Sequence, residues 1–278
     1  MTTITTPLPA SAALREKPEG RMPFLLQVSM LTWRTLVTNF RVPAAVLPGL
    51  IISVFFLLVY NSTLGNASGF LPGLAGQSYI GFILPLSVVS ASLSGAGVAG
   101  QSIVRDIERG YFDKLMLTPI SRSALLLGPM IAGAILLAIQ TILLLGLGFL
   151  LGLRPETGLP GGLAVIGLSL LLGVGFAGFT VGIALRTGSA AATGGASFLF
   201  FPLSFLTATF VPLELLSGWI KTAATYNPIT YILEAMRTLL NSGWDTQIIL
   251  RGVSASLLLG VILFVWALLS LRARTRRR

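Results

Sequence analysis

Residues 105–117 read RDIERGYFDKLML and form the densest charge cluster before the C-terminal tail of a 278-residue chain that is 54% hydrophobic. The segments on either side, Tyr79–Val104 and Ala124–Leu153, contain no Asp, Glu, Lys or Arg. Each segment is long enough to cross a bilayer core of ~30 Å as a helix. The charged stretch is therefore predicted to be a short loop between two membrane crossings.

The spacing within this stretch is helical. Its apolar residues share one arc: Val104, Ile107, Tyr111 and Leu115. Its charged residues fall roughly opposite: Arg105, Asp106, Arg109 and Asp113. The pattern predicts a helix that lies along the membrane surface and ends at Thr118-Pro119, because proline lacks an amide hydrogen and restricts the residue before it. Ser121 can cap the next span. The alternative is a solvated loop whose charges only set the orientation of the chain.

Composition excludes most enzyme classes. The chain contains no cysteine and no histidine, which removes disulfides, thiolate nucleophiles, imidazole bases and the usual zinc and haem ligands. No G-x-x-x-x-G-K-[ST] phosphate loop occurs, so ATP binding of the P-loop kind is not expected. No ionisable residue lies within the predicted spans, as a secondary transporter or an intramembrane hydrolase would ordinarily require. No filter-like repeat indicates a channel.

We predict an all-α membrane protein with a single membrane domain, residues 22–271, preceded by a disordered cytoplasmic tail, residues 1–21. Its six predicted spans cover residues 42–60, 79–104, 124–153, 163–185, 190–211 and 253–271. Six crossings place both termini on the same side. That side holds 15 of the 19 basic residues, so the positive-inside rule makes it cytoplasmic. The basic tail, residues 272–278, is expected to contact anionic lipid head groups rather than nucleic acid.

A second amphipathic segment precedes the first span. Its apolar residues follow helical spacing on one face: Leu26, Met30, Trp33, Val37 and Phe40. Arg34 lies to the side of that face, and Trp33 and Arg34 both suit the boundary between head groups and acyl chains. Residues 22–41 are therefore predicted to form an interfacial helix. The alternative, a buried helix of a soluble domain, has few other residues to cover it.

Residues 212–251 should face outward, yet they are not plainly hydrophilic. An apolar helical face is predicted from Ile229, Ile232, Leu233, Met236 and Leu240. Asn227-Pro228 should start that helix, and Glu234 can pair with Arg237 on its polar side. Since aromatic residues such as Trp219 favour membrane interfaces, we expect two short helices that dip back into the outer leaflet.

Two separated motifs carry a resemblance. The order ERG, TP, SR, LLG in RDIERGYFDKLMLTPISRSALLLG, residues 105–128, resembles the charged segment of ABC-2 type transporter permeases. Residues 210–240 contain that family's P-x-E, W, NP-x-T and A-x-R motifs in the same order. The matching positions in this outer region are Pro212, Glu214, Trp219, Asn227, Pro228, Glu234 and Arg237. The chain looks most similar to the daunorubicin-resistance branch.

This resemblance implies the permease subunit of an ATP-binding cassette exporter in a bacterial plasma membrane. Two copies of a cytoplasmic ATPase would carry ATP and Mg, and this chain would hold no cofactor and pair with a second permease copy or a paralogue. Charged residues of the surface helix would couple to the ATPase: Arg105, Asp106, Glu108, Arg109, Asp113 and Lys114.

The expected cargo is lipophilic or amphiphilic, because the walls of the predicted pathway carry no charge. By the same resemblance, spans 1, 2 and 5 would form that pathway along the interface of the permease pair. Two alternatives remain open. One is an exporter of polysaccharide or lipid-linked glycan with the same architecture, and the other is a non-transporting membrane anchor for a cytosolic complex.

The basic-residue asymmetry makes an orientation prediction. A single cysteine at Ser68 or Ser242 should react with an impermeant thiol reagent in whole cells, whereas a cysteine at Ser121 should not. The native chain has no cysteine, so each signal is unambiguous. Labelling at Ser121 with protection at Ser68 would reverse the topology.

Overall fold

The computed structural model describes residues 22–42, 47–64, 79–198, 202–203, 206–207, 213 and 216–276, and this part of the chain is built from α-helices without a strand. The helices are α1 Phe24–Phe40, α2 Leu47–Leu64, α3 Tyr79–Glu108, α4 Tyr111–Met116, α5 Arg122–Leu150, α6 Gly158–Thr187, α7 Ala190–Phe198, α8 Gly218–Tyr226, α9 Pro228–Asn241 and α10 Thr246–Arg276. The predicted all-helical architecture is confirmed for these residues.

Four of the described helices, α3, α5, α6 and α10, are long and apolar enough to cross a membrane. A shorter apolar helix, α2, corresponds to the first predicted span. The predicted span 190–211 begins as α7, and most of its residues beyond Phe198 lie outside the described part of the chain. The chain is thus a multi-pass membrane protein, while the count of six spans stays a prediction.

Three of the long helices, α3, α5 and α10, pack against the fourth, α6. Their buried residues form one core cluster toward the start of α3 and a second toward its end. Gly178 and Gly182 of α6 lie against Leu263 and Trp266 of α10, close enough that a Cβ atom on either glycine would collide with its neighbour. This G-x-x-x-G pair therefore packs two helices of the same chain closely together, as small residues at this spacing permit.

The crossing of α3 and α5 depends on two glycines that face each other. A Cβ atom on Gly95 would lie 2.9 Å from the carbonyl oxygen of Gly133, and a Cβ atom on Gly133 would lie 2.6 Å from the carbonyl oxygen of Gly95. Only residues without a side chain let two backbones approach this closely. The crossing therefore fixes the distance between the two helices that flank the charged stretch.

The prediction of a single surface helix over residues 105–117 is wrong, because the structure divides this stretch between two helices. The preceding span helix α3 continues through Glu108, four residues beyond its predicted end, and Gly110 then adopts a left-handed conformation with φ of 66°. Because glycine reaches positive φ without steric cost, the chain turns there and restarts as α4. The end of that helix before Thr118-Pro119 and the cap by Ser121, which accepts a hydrogen bond from the amide of Ala124, are confirmed.

The last helix also differs from its prediction. The span predicted for residues 253–271 belongs to the longer helix α10, which takes in Arg251 at one end and Arg272 to Arg276 at the other. The basic tail predicted for residues 272–278 is therefore helical as far as Arg276. Hydrogen bonding within a helix satisfies the backbone whether the helix is in lipid or in water, so helical structure need not stop where the charge begins.

The helices within residues 212–251 follow the sequence pattern closely. Asn227 caps α9 by accepting a hydrogen bond from the amide of Ile229, and Pro228 occupies the first helical position, as predicted. All five residues of the predicted apolar face are buried: Ile229, Ile232, Leu233, Met236 and Leu240. Trp219 lies exposed on α8. Pro212 and Glu214 lie outside the described residues.

The close crossing of α3 and α5 makes a stability prediction. Gly133→Ala should destabilise the folded protein by about 1–3 kcal/mol, because the added methyl group meets a backbone oxygen that cannot move aside. Gly146→Ala is the matched control on the same helix, since a Cβ atom there meets nothing within 4 Å. Heating in detergent, followed by size-exclusion chromatography, measures the difference. Equal midpoints for the two variants would contradict this packing.

Candidate functional site

A cluster of polar contacts joins α1, the last turns of α3, α4 and the first turns of α5. We refer to these four elements as the junction. The sequence predicts part of this region from its charges, and the structure adds α1, which packs along α5. The junction also contains a cluster of apolar side chains in mutual contact: Val28, Leu31, Leu115, Ala124 and Leu125. The junction therefore links the charged loop to three helices of the bundle.

An ion pair between Arg34 of α1 and Asp106 of α3 lies at its centre. Both terminal nitrogens of the guanidinium donate to the carboxylate, with an Nη1 to Oδ2 distance of 2.9 Å. The two residues are 72 positions apart in the sequence. The hydrogen bond to Asp106 raises the pKa of Arg34. Such a two-point contact fixes the relative orientation of the two helices as well as their distance.

Asp106 is less accessible than the resemblance implies for a residue that contacts the ATPase. We expected it to face the ATPase, but it is only 7% exposed and its carboxylate is occupied by Arg34. The reason is that residue 106 still belongs to α3, so it turns toward α1 instead of following the face of a separate surface helix. Asp106 holds the junction together.

Further polar contacts surround the ion pair. The Arg34 guanidinium lies 4.1 Å from the centroid of the Tyr111 ring, a cation–π contact that reaches α4. Arg105 donates to the side-chain oxygen of Asn39 at 2.9 Å, and the Asn39 amide donates to the carbonyl of Thr35 at 2.8 Å. Arg105 and Asp106 of α3 thus each meet a partner on α1.

Gln27 and Thr32 attach α1 to α5 on the other side of the junction. The Gln27 side-chain oxygen accepts from the amide of Ser121 at 2.9 Å, and its amide group donates to the carbonyl of Met22 at 2.7 Å. Thr32 donates to the carbonyl of Gly128 at 3.2 Å. The Gln27 contact satisfies a backbone group next to the start of α5, where a helix has no partners of its own.

The short helix α4 is anchored by its apolar residues. Phe112 and Leu115 are buried beneath it, and the Arg274 guanidinium of α10 lies 5.9 Å from the centroid of the Phe112 ring. In contrast, Leu117, which caps the helix, is 90% exposed. The charged loop therefore carries an apolar side chain on its surface.

A cleft of about 510 Å³ opens beside this leucine, between the start of α1 and the turn that joins α4 to α5. It is lined by Met22, Phe24, Gln27, Met116, Thr118, Pro119, Ile120, Ser121 and Arg122. Most of these side chains are apolar. The buried side chain of Gln27 hydrogen-bonds to the carbonyl of Met22 on one side of the cleft and to the amide of Ser121 on the other. Among the described residues, no group of three or more acidic side chains could hold a metal ion.

The remaining charged residues predicted for coupling lie at different depths. Glu108, Arg109 and Lys114 are exposed, whereas Arg105 and Asp113 are half-buried. Residues 108, 109 and 114 are therefore the charges of this set that another protein can reach.

The predicted apolar face of α1 lies on the surface of the chain. Exposed residues of this face are Leu26, Met30, Trp33 and Phe40, and Val37 is half-buried. The opposite face packs on α5 and carries Gln27, Thr32, Thr35 and Asn39, which the sequence reasoning missed. Their recurrence at spacings of three to five residues is the signal that could have found them, because it marks a second, polar face.

A search against protein-family models matches residues 26–241 to the ABC-2 type transporter family. Among curated proteins, the chain is 27% identical over 214 residues to the "Probable doxorubicin resistance ABC transporter permease protein DrrC" of Mycobacterium tuberculosis, covering 77% of this chain and 76% of that protein. It is 28% identical over 234 residues to the "Daunorubicin resistance ABC transporter permease protein DrrB1" of Streptomyces coeruleorubidus, covering 81% and 79%.

Replacing one member of the ion pair should destabilise the protein more than replacing the other. Arg34→Met should lower the unfolding midpoint more than Asp106→Asn, because it leaves a buried carboxylate without its cation. Asp106→Asn instead leaves a guanidinium that water can solvate, because the Arg34 side chain is 37% exposed. Solvent screening keeps both losses below the ~3–5 kcal/mol typical of a fully buried pair. Thermal unfolding of the purified variants measures this order. Equal midpoints for both variants and the parent chain would show that the pair contributes nothing.

Proposed function

Because this chain belongs to the ABC-2 type transporter family and is the membrane subunit of an ABC exporter, we propose that it exports a lipophilic or amphiphilic compound, driven by a separate cytoplasmic ATPase. Two copies of the ATPase, each carrying ATP and Mg, would work with two permease subunits. The observation that carries this proposal is the junction, where one loop is tied to three helices at the charged end of the bundle.

The proposed mechanism begins at α4. Closure of the ATPase pair around ATP would displace Leu117 and the exposed charges beside it. Phe112 and Leu115, buried beneath α4, would pass that displacement to α3 and α5. The Arg34–Asp106 pair would carry α1 along with them, because a two-point ionic contact resists both sliding and rotation. The helices would then move as a group, which is how a small displacement in the cytoplasm opens a path across the bilayer.

Apolar docking at Leu117 is the specific form of ATPase contact that we propose. Burying an exposed leucine side chain contributes about 1.5–3 kcal/mol, which exceeds the roughly 0–1 kcal/mol typical of an exposed ion pair. The adjacent cleft offers space for a side chain of the partner. Glu108, Arg109 and Lys114 would then set the orientation of the contact and its specificity.

The proposed cargo class rests on the spans and on the relatives. The three spans predicted to form the pathway, residues 42–60, 79–104 and 190–211, contain no Asp, Glu, Lys or Arg. The named relatives are a doxorubicin resistance permease and a daunorubicin resistance permease. Compounds that partition into lipid suit a pathway of this composition, because an apolar wall gives no hydrogen bonds in exchange for those lost from water.

Leu117→Asp should abolish copurification of the ATPase and reduce export to background, because a carboxylate would have to be buried in the contact. The chain itself should accumulate normally, since residue 117 is almost fully exposed. Leu159→Asp is the matched control: it is also exposed, but it lies at the far end of α6. Tandem affinity purification and efflux of a fluorescent lipophilic dye provide the two measurements.

Three results would count against this proposal. Wild-type copurification in Leu117→Asp would remove the apolar contact from the mechanism. Loss of the ATPase in Leu159→Asp as well would indicate general misfolding. Retained assembly with no export in the parent chain would favour the anchor alternative.

A further inference from the structure

One arginine of the outer helix α9 makes two polar contacts with the start of α3. The Arg237 guanidinium lies 3.7 Å from the centroid of the Phe82 ring, and its Nε donates to the carbonyl oxygen of the same residue at 3.0 Å. These two residues are 155 positions apart in the sequence. One side chain thus makes both a cation–π contact and a hydrogen bond with a single residue of α3.

The attachment lies at a weak point of α3. Pro85 is inside the helix and has no amide hydrogen, so the carbonyl of Gly81 lacks its usual partner four residues later. The outer turn of α3 is therefore less firmly joined to the rest of its helix than a regular turn would be. Arg237 supplies a charged donor to this turn from a neighbouring helix. Asn241, one turn further along α9, packs against Gly81.

The other attachments of α9 lead to different helices. Thr157 donates to the carbonyl of Leu239 at 2.5 Å, just before α6 begins. At the opposite end, the Asn227 side chain donates to the carbonyl of Leu203 at 2.8 Å and to that of Leu206 at 3.0 Å. Residues 203 and 206 belong to the predicted fifth span. Helix α9 is consequently a strap that joins the outer ends of three spans.

We infer that Arg237 is a positioning residue for export: it latches the outer turn of α3 to the strap α9 and keeps the outer end of the helix bundle closed. The inference rests on the proposed function in that it takes this end to be where cargo leaves. The latch suits repeated opening, because a hydrogen bond to a carbonyl and a contact with a ring face can both break and re-form without any change in covalent bonding. It also gives the arginine of the A-x-R motif a physical role.

A buried reporter cysteine tests the latch without cargo or ATPase. Ser87 lies on α3 just below Pro85, is fully buried, and is close in size to cysteine. In the full-length chain, purified and reconstituted in lipid nanodiscs, Ser87→Cys should react slowly with a water-soluble maleimide. Adding Arg237→Met should speed the reaction about tenfold or more, the scale expected when a hydrogen bond to a charged group is lost. Adding Arg237→Lys instead should give a smaller increase, because lysine keeps a charged donor.

Matched controls separate a latch from simple destabilisation. Ser53→Cys on α2 is equally buried and bonded only within its own helix. Its labelling rate should be the same with and without Arg237→Met. Should Arg237→Met fail to accumulate, Phe82→Leu replaces it, since that change removes the ring and leaves the carbonyl.

Three outcomes would each overturn the latch. They are an unchanged labelling rate at Ser87→Cys, equal rates in the Arg237→Met and Arg237→Lys backgrounds, and a matching increase at Ser53→Cys. None of these results would bear on whether the chain is an exporter, because the experiment contains neither cargo nor ATPase.

Discussion

The Arg34–Asp106 ion pair is the contact on which the arrangement of the charged end depends. It joins a helix that precedes the first span to a helix of the bundle, across 72 residues of sequence. Beside it, Arg105 and Asn39 make a second polar contact between α1 and α3. Charged groups at the end of a membrane helix are normally interchangeable, because water and lipid head groups solvate them. Here the carboxylate is buried, so its partner and its geometry are specified.

Specific packing contacts also join the helices along the length of the bundle. Glycines bring α3 and α5 together near the middle of the bundle, and further glycines bring α6 against α10. Close backbone packing leaves little room for one helix to move without its neighbour. At the end of the bundle opposite the charged loop, Arg237 and Asn227 join the strap α9 to α3 and to the predicted fifth span. A displacement applied at the charged loop therefore has a continuous set of packed contacts along which to travel.

Sequence patterns predicted the local features of this structure and missed the long-range ones. The apolar face of α9, the Asn227-Pro228 start and the Ser121 cap follow from periodicity and from capping preferences within a few residues. The break at Gly110 was missed because the apolar spacing continues across it, and spacing alone does not show that a glycine adopts positive φ. The pairing of Asp106 with Arg34 could not be predicted from either segment alone. It depends on how α1 packs along α5, which is a tertiary property.

In the proposed mechanism, α1, α4 and the adjoining ends of α3 and α5 move as one body. Spin labels at the exposed Trp33 of α1 and at Ser123 in the first turn of α5 allow the distance across the junction to be measured by double electron–electron resonance in the complete transporter. Neither residue belongs to the proposed ATPase contact. We predict one narrow distance distribution that is the same without nucleotide, with ATP trapped, and during turnover. A shift of the 33–123 distance between these states, in a complex that still exports, would contradict the account.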